Sequence, residues 1–138
     1  MSPLHVAHLE GAGNRFAFIE SAEVPDAKKR AELTRHLCAA TGLDGAVFLS
    51  GAGSDFEWDF YNSDGSAAEM CGNAARCVGE YVRRERKDGV FPLHLKTEAG
   101  VVTIDRDGED DYAVEMPPLT GEREMSLIVH REIGRAHV

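Results

Sequence analysis

The chain has 138 residues, 43% hydrophobic and 28% charged, and 24 acidic against 15 basic residues give a net charge of −9. At this length folding buries roughly two-thirds of the unfolded surface, so one core is expected and wholesale disorder is excluded. The negative balance excludes a nonspecific nucleic-acid binder held by phosphate contacts.

The first elements are short apolar-rich runs at residues 4–10 and 16–21, flanking Gly11-Ala12-Gly13-Asn14. They predict two strands joined by a tight turn. Pro25-Asp26 predicts a helix start, Ala31, Leu37, Cys38 and Ala40 partly follow helical spacing, and Gly42 marks the helix end. Residues 46–50 read as a short apolar strand. Residues 55–61 (DFEWDFY) alternate polar and aromatic side chains, the pattern of a half-buried strand. Asn62-Ser63-Asp64-Gly65-Ser66 is a dense turn signal. A second helix is expected from Cys71-Gly72-Asn73 to about Lys87, with Ala74, Val78, Tyr81 and Val82 as its apolar stripe. Residues 90–97, 101–105 and 112–116 read as three more strands, ended by Pro117-Pro118. This order gives an α+β fold with mainly antiparallel pairing.

No apolar run approaches the roughly 20 residues of a membrane span, and Met1-Ser2-Pro3-Leu4-His5 lacks a signal peptide's basic and apolar regions. Three cysteines, Cys38, Cys71 and Cys77, argue against a secreted disulfide scaffold, so a cytoplasmic location is expected. Cys71 and Cys77 make no C-x-x-C pair, and His5, His8, His36, His94 and His130 are scattered, so no metal site is expected. Gly11-Ala12-Gly13-Asn14 is followed by a strand pattern rather than a helix, which weighs against a dinucleotide site.

The chemistry concentrates at the start of the second helix. A cysteine there meets unpaired N–H groups and the positive end of the helix dipole, which favour a thiolate. The same N–H groups can hold a substrate carboxylate. Gly72 allows close backbone approach, and Asn62 and Asn73 offer neutral donors and acceptors. The other reading of a lone cysteine is a small buried hydrophobe. That reading is preferred for Cys77, which faces about 240° away around the helix, and for Cys38, on the apolar side of the first helix.

Residues 62–77 (NSDGSAAEMCGNAARC) closely resemble the active-site signature of the diaminopimelate epimerase family. Residues 8–16 look like that family's opening strand and turn. Residues 37–45 look like its Cys-to-Gly-Ala-Asp-Gly segment. Thr97-Glu98-Ala99-Gly100 and Val114-Glu115-Met116 look like strands closing its first half. The match is collinear over about residues 4–118.

The resemblance implies a mixed sheet wrapped around a central helix, forming one of two similar halves with the substrate between them. It implies an isomerase without a cofactor that interconverts the LL and meso isomers of diaminopimelate for lysine and peptidoglycan precursors. One cysteine from each half would face the α-carbon, one as base and one as acid. Cys71 matches the first of these, Gly72 and Asn73 the carboxylate-binding turn, and Asn14 and Asn62 substrate-contacting asparagines. Glu69 and Arg76 match motif positions where an ion pair or loop anchor is an equal reading.

Three departures stand out: Arg15 for an Asp, Leu43 for an Ala, and Ala74 for a Gly, whose methyl a helix tolerates and which leaves open a tighter pocket. On this reading residues 1–118 are the N-terminal domain and 119–131 begin a linker to the missing C-terminal half. Residues 132–138 (EIGRAHV) read as a non-native tail, since they translate a common sequencing adapter. The expected partners are a small amino-acid substrate, the missing half and, for the full-length parent, a second copy. The fragment alone is expected to be inactive. The alternatives are another amino-acid racemase or isomerase on the same fold, or a non-catalytic amino-acid-binding half-domain.

Overall fold

The computed structural model describes residues 3–108 and 111–116 and, as backbone, 131–137. β1 (Ala7–Gly11) and β2 (Asn14–Glu20) pair antiparallel from Ala7↔Phe18 to Gly11↔Asn14. Ala12 and Gly13 close this hairpin with φ of 50° and 93°. Such left-handed turn geometry matches the twist of the flanking strands.

α1 (Ala27–Thr41) starts where the Asp26 carboxylate accepts the Lys28 N–H at 2.9 Å. It ends at Gly42, whose φ of 72° lets its N–H reach the Cys38 carbonyl at 2.8 Å. β3 (Gly45–Ala52) follows, parallel to β2 and antiparallel to β4 (Asp55–Asn62). α2 (Gly72–Glu85) then leads to β5 (Leu93–Thr97), parallel to β4. β6 (Gly100–Arg106) and β7 (Asp111–Glu115) continue antiparallel. β8 (Arg131–His137) pairs with β7 and β1 and closes a barrel in the order β1 to β8.

Parallel neighbours need a crossover, and the two helices supply both. The helices lie on opposite sides of the sheet because strand side chains alternate and both faces here are apolar. Phe16, Phe18, Val47 and Leu49 point into the barrel. Ala17, Ile19, Ala46 and Phe48 point out, where Ala31, Leu37 and Cys38 of α1 cover them.

α2 occupies the barrel interior. Every residue from Ala74 to Val82 is buried, so the expected four-residue stripe is too narrow a description. Gly79 lets the wall approach closely, and an added Cβ there would lie 2.6 Å from Cδ1 of Tyr112. The buried Glu80 accepts from the Tyr112 hydroxyl at 2.7 Å and from Arg83 Nη2 at 2.7 Å. A buried charge is tolerable when paired and hydrogen-bonded in this way. Near the C-terminal end of α2, Tyr81 Oη donates to Glu20 at 2.6 Å and Arg86 Nη1 donates to the same carboxylate at 3.0 Å. These contacts fasten that end of α2 to β2.

The architecture is therefore the expected α+β fold, a mixed and mainly antiparallel sheet wrapped around a central helix. Boundaries shift by a few residues. β1 begins at Ala7 rather than residue 4, and β5 begins at Leu93, just after Pro92, which has no N–H to give a ladder. Of the expected linker, residues 119–130 lie outside the described residues and Arg131 opens β8. Residues 132–137, read above as a tail, run along β8 in the barrel ladder.

Candidate active site

Cys71 is the N-cap of α2, with extended φ and ψ of −132° and 123°. Its carbonyl accepts the Ala75 N–H at 3.0 Å, the first turn of the helix. The N–H groups of the first turn of a helix have no partner within it. The Cys71 side chain caps none of them and is partly exposed.

The loop that delivers Cys71 folds back along β4. The Ala68 N–H donates to the Phe60 carbonyl at 2.9 Å, and Tyr61 bridges Ala67. Its tip is a tight turn in which Asp64 Oδ1 accepts from the Ser66 N–H at 2.9 Å and the Ser66 hydroxyl at 2.6 Å. These bonds hold the Asp64 carboxyl below the usual carboxylate range. Gly65 there has φ of 87°, and a Cβ would meet Arg35 and the Ala31 carbonyl. Glycine is therefore required for the turn to lie against α1.

Cys71 shares a cleft of about 480 Å³ with Asn14, Asn62, Asp44 and Glu69. Phe16 and Phe60 also line it, and their rings meet edge to face at 5.7 Å. Residues from β2, β4, the α1–β3 junction and the loop before α2 thus converge at one barrel mouth. The opposite end of α2 is the one fastened to Glu20, at the far end of β2. Two other open clefts, of about 330 and 500 Å³, lie on the outer face of β3, β4 and β5 and are lined by no cysteine. Among the described residues no group of three or more His, Cys, Asp and Glu could hold a metal ion. No described helix is long and apolar enough to cross a membrane.

Of the residues singled out in the sequence, Asn14, Asn62 and Cys71 meet in this cleft. Gly72 opens α2 behind Cys71. The Asn73 side chain works one layer back, donating through Nδ2 to Asn14 Oδ1 at 2.7 Å. Asn73 Oδ1 in turn accepts from Arg76 Nη2.

Asp44 belongs to the Gly-Ala-Asp-Gly-like segment at residues 37–45 and is not among the expected site residues. Its Oδ2 accepts the Arg15 N–H at 2.8 Å, and its own N–H returns to the Arg15 carbonyl at 2.8 Å. Its place directly before Gly45, the residue that pairs with Asn62 across β3 and β4, is what puts it in the cleft. Arg15 also donates through Nη2 to the Gly42 carbonyl at 2.9 Å, so this departure from the family pattern closes the end of α1. Leu43 is buried in the outer core. Ala74 is fully buried in the inner core, and its methyl is spent on packing rather than on narrowing the cleft.

The other two thiols are packed away, as expected. Cys77 is fully buried, and burial pushes its thiol up to about 12. Burial, helped by the charge of Asp44, also raises the Cys38 thiol.

This fold is similar to that of solved phenazine-biosynthesis proteins. A Bacillus anthracis phenazine biosynthesis protein of the PhzF family aligns over 83% of this chain and 40% of its own, with TM-score 0.66 and 14% identity. The chain belongs to the diaminopimelate epimerase family, whose model matches residues 6–120. A diaminopimelate epimerase of Helicobacter pylori (strain Shi470) is 49% identical over 70 residues, 50% of this chain and 26% of that one. One of Leptospira biflexa is 33% identical over 117 residues, 82% of this chain and 41% of that one. The chain thus spans less than half the length of these relatives.

Proposed function

We propose that this chain supplies one wall of a diaminopimelate epimerase active site. Cys71 is the group that removes or returns the α-proton on one face of the substrate. The observation that carries this reading is the position of Cys71 at the α2 N-cap, partly exposed, in one cleft with Asn14 and Asn62. The substrate's α-carboxylate lies against the first N–H groups of α2, from Gly72 and Asn73 onward. Those groups and the helix dipole stabilise the negative charge that builds up when the α-proton leaves.

Inversion needs a proton returned to the opposite face. A thiolate on one side takes the proton, and a thiol on the other side gives one back. The chain's three cysteines put one thiol in this cleft and two in the cores. The second thiol must therefore come from another segment, and this chain alone does not invert its substrate.

The test uses LL-diaminopimelate in D2O. The chain is assayed alone and fused to the part of the Leptospira biflexa relative that it does not match. The expected result is inversion with deuterium incorporation in the fusion, none in the chain alone, and loss in the Cys71→Ala fusion. Inversion by the chain alone, or a fully active Cys71→Ala fusion, would falsify the reading.

A further inference from the structure

The two asparagines of the cleft are held in opposite senses, Asn62 by a group that only accepts and Asn14 through Asn73, which is itself set by a group that only donates. A guanidinium donates and never accepts, so the Asn73 atom that meets Arg76 is its oxygen. This turns Asn73 Nδ2 towards Asn14, whose Oδ1 accepts it at 2.7 Å. Arg76 is 5% exposed, so water does not take over its role. With its oxygen engaged, Asn14 offers the cleft its Nδ2 donor.

Asn62 is set the other way. A backbone carbonyl accepts and never donates, and Asn62 Nδ2 lies 3.4 Å from that of Ala67. Asn62 Nδ2 also donates to Ser66 Oγ at 3.1 Å. The Ser66 proton is directed at Asp64 Oδ1, 2.6 Å away, so the hydroxyl turns a lone pair to Asn62. With its nitrogen engaged on both partners, Asn62 offers the cleft its Oδ1 acceptor. Asp44, next to the Gly45 that pairs with Asn62, adds negative charge on this wall.

We propose that Arg76 and Ser66 are positioning residues that polarise the cleft, Asn14 presenting a donor and Asn62 an acceptor. A zwitterionic ligand is then read in one orientation, its carboxylate towards Asn14 and an ammonium towards Asn62. This assignment rests on the reading of the cleft as an amino-acid site.

The orientation is measured first in the labelled wild-type chain, by scalar coupling across each hydrogen bond. Coupling is expected from Asn73 Nδ2 to the Asn14 side-chain carbonyl carbon and from Asn62 Nδ2 to the Ala67 carbonyl carbon. Arg76→Met should abolish the first and Arg76→Lys should keep it. A merely structural Arg76 would change the melting temperature and leave the coupling in place.

The second readout is the alkylation rate of Cys71 by iodoacetate relative to iodoacetamide, normalised to the urea-unfolded chain. This ratio should exceed one in the wild type. It should fall about fivefold, the worth of one net hydrogen bond, in Arg76→Met and in Asn73→Leu, which keeps the charge. Absence of either coupling in the wild type overturns the proposal, as does its first coupling surviving Arg76→Met. A ratio that falls in Arg76→Met but not in Asn73→Leu also overturns it, because charge alone would then be responsible. Both couplings present with no carboxylate preference would uphold the positioning roles and overturn the amino-acid reading of the cleft.

Discussion

Gly79 faces the wall of the barrel from the middle of α2, and replacing it with alanine tests whether the helix is enclosed. A Cβ there would lie 2.6 Å from Cδ1, 3.0 Å from Cε1 and 3.0 Å from Cγ of Tyr112. The ring has little room to move. It is fully buried, and its hydroxyl donates to Glu80 at 2.7 Å while accepting from Arg83 at 2.9 Å. Overpacking of this kind costs about 1–3 kcal/mol, and three contacts at or below 3.0 Å put it near the upper end. The better helix propensity of alanine returns about 1 kcal/mol. The net expectation for Gly79→Ala is a loss of about 2 kcal/mol, or about 8 °C in Tm for a domain of this size. Urea and thermal unfolding followed by circular dichroism measure it. In a Tyr112→Leu background the penalty should vanish, a coupling that a double-mutant cycle isolates. Gly79→Ala that is neutral or stabilising in the wild-type background would refute the enclosure of α2, since propensity alone would then be operating.

Three further outcomes follow from the same structure. Iodoacetamide should add one group to the folded chain, at Cys71, while Cys38 and Cys77 react only as the chain unfolds; early labelling of Cys77, read by peptide mass mapping, would contradict its place in the core. Burial holds Cys77 at about 12 against 9.0 and Tyr112 at about 12 against 10.0, so both stay protonated in the folded state while the unfolded chain ionises. Stability should therefore be intact below pH 9 and decline as pH rises towards 12, Cys77 alone contributing a loss of about 1 kcal/mol at pH 10. A urea midpoint equal at pH 8 and pH 10, or a decline as steep in Cys77→Ala, would be inconsistent with that burial. Asp26→Ala should cost about 1 kcal/mol through loss of the α1 cap, and Asp26→Asn should retain most of it, both measured by urea melts.

Much of the fold was legible because it rests on local signals. The Asp26 cap and Gly42 stop bounded α1, and the alternation in residues 55–61 marked β4. The burial of α2 was only partly legible. Glu80 and Gly79 carry no local signal of burial, yet Glu80 is held by Tyr112, 32 residues on, and Gly79 lies against the same ring. β8 carried no signal that separated it from a polar tail, because its pairing with β1 and β7 is non-local. Part of the cleft's lining was legible where the motif was dense, at Asn62 and Cys71. Asp44 was missed as a site residue because only the parallel β2–β3 and antiparallel β3–β4 registers bring it beside Asn62.

The sequence by itself determined the family, the helix start that carries Cys71 and the turn chemistry around Asp64 and Gly65. These depend on neighbours a few residues apart, where spacing and turn preference act directly. The tertiary structure alone decided that α1 lies outside the barrel and α2 inside, that Asp44 joins the cleft, and that Asn73 reaches back to Asn14. The physical reason is that burial and hydrogen-bond direction are set by partners distant in the chain, 59 residues apart for Asn73 and Asn14 and 66 for Arg86 and Glu20, and appear only once the barrel closes around the helix.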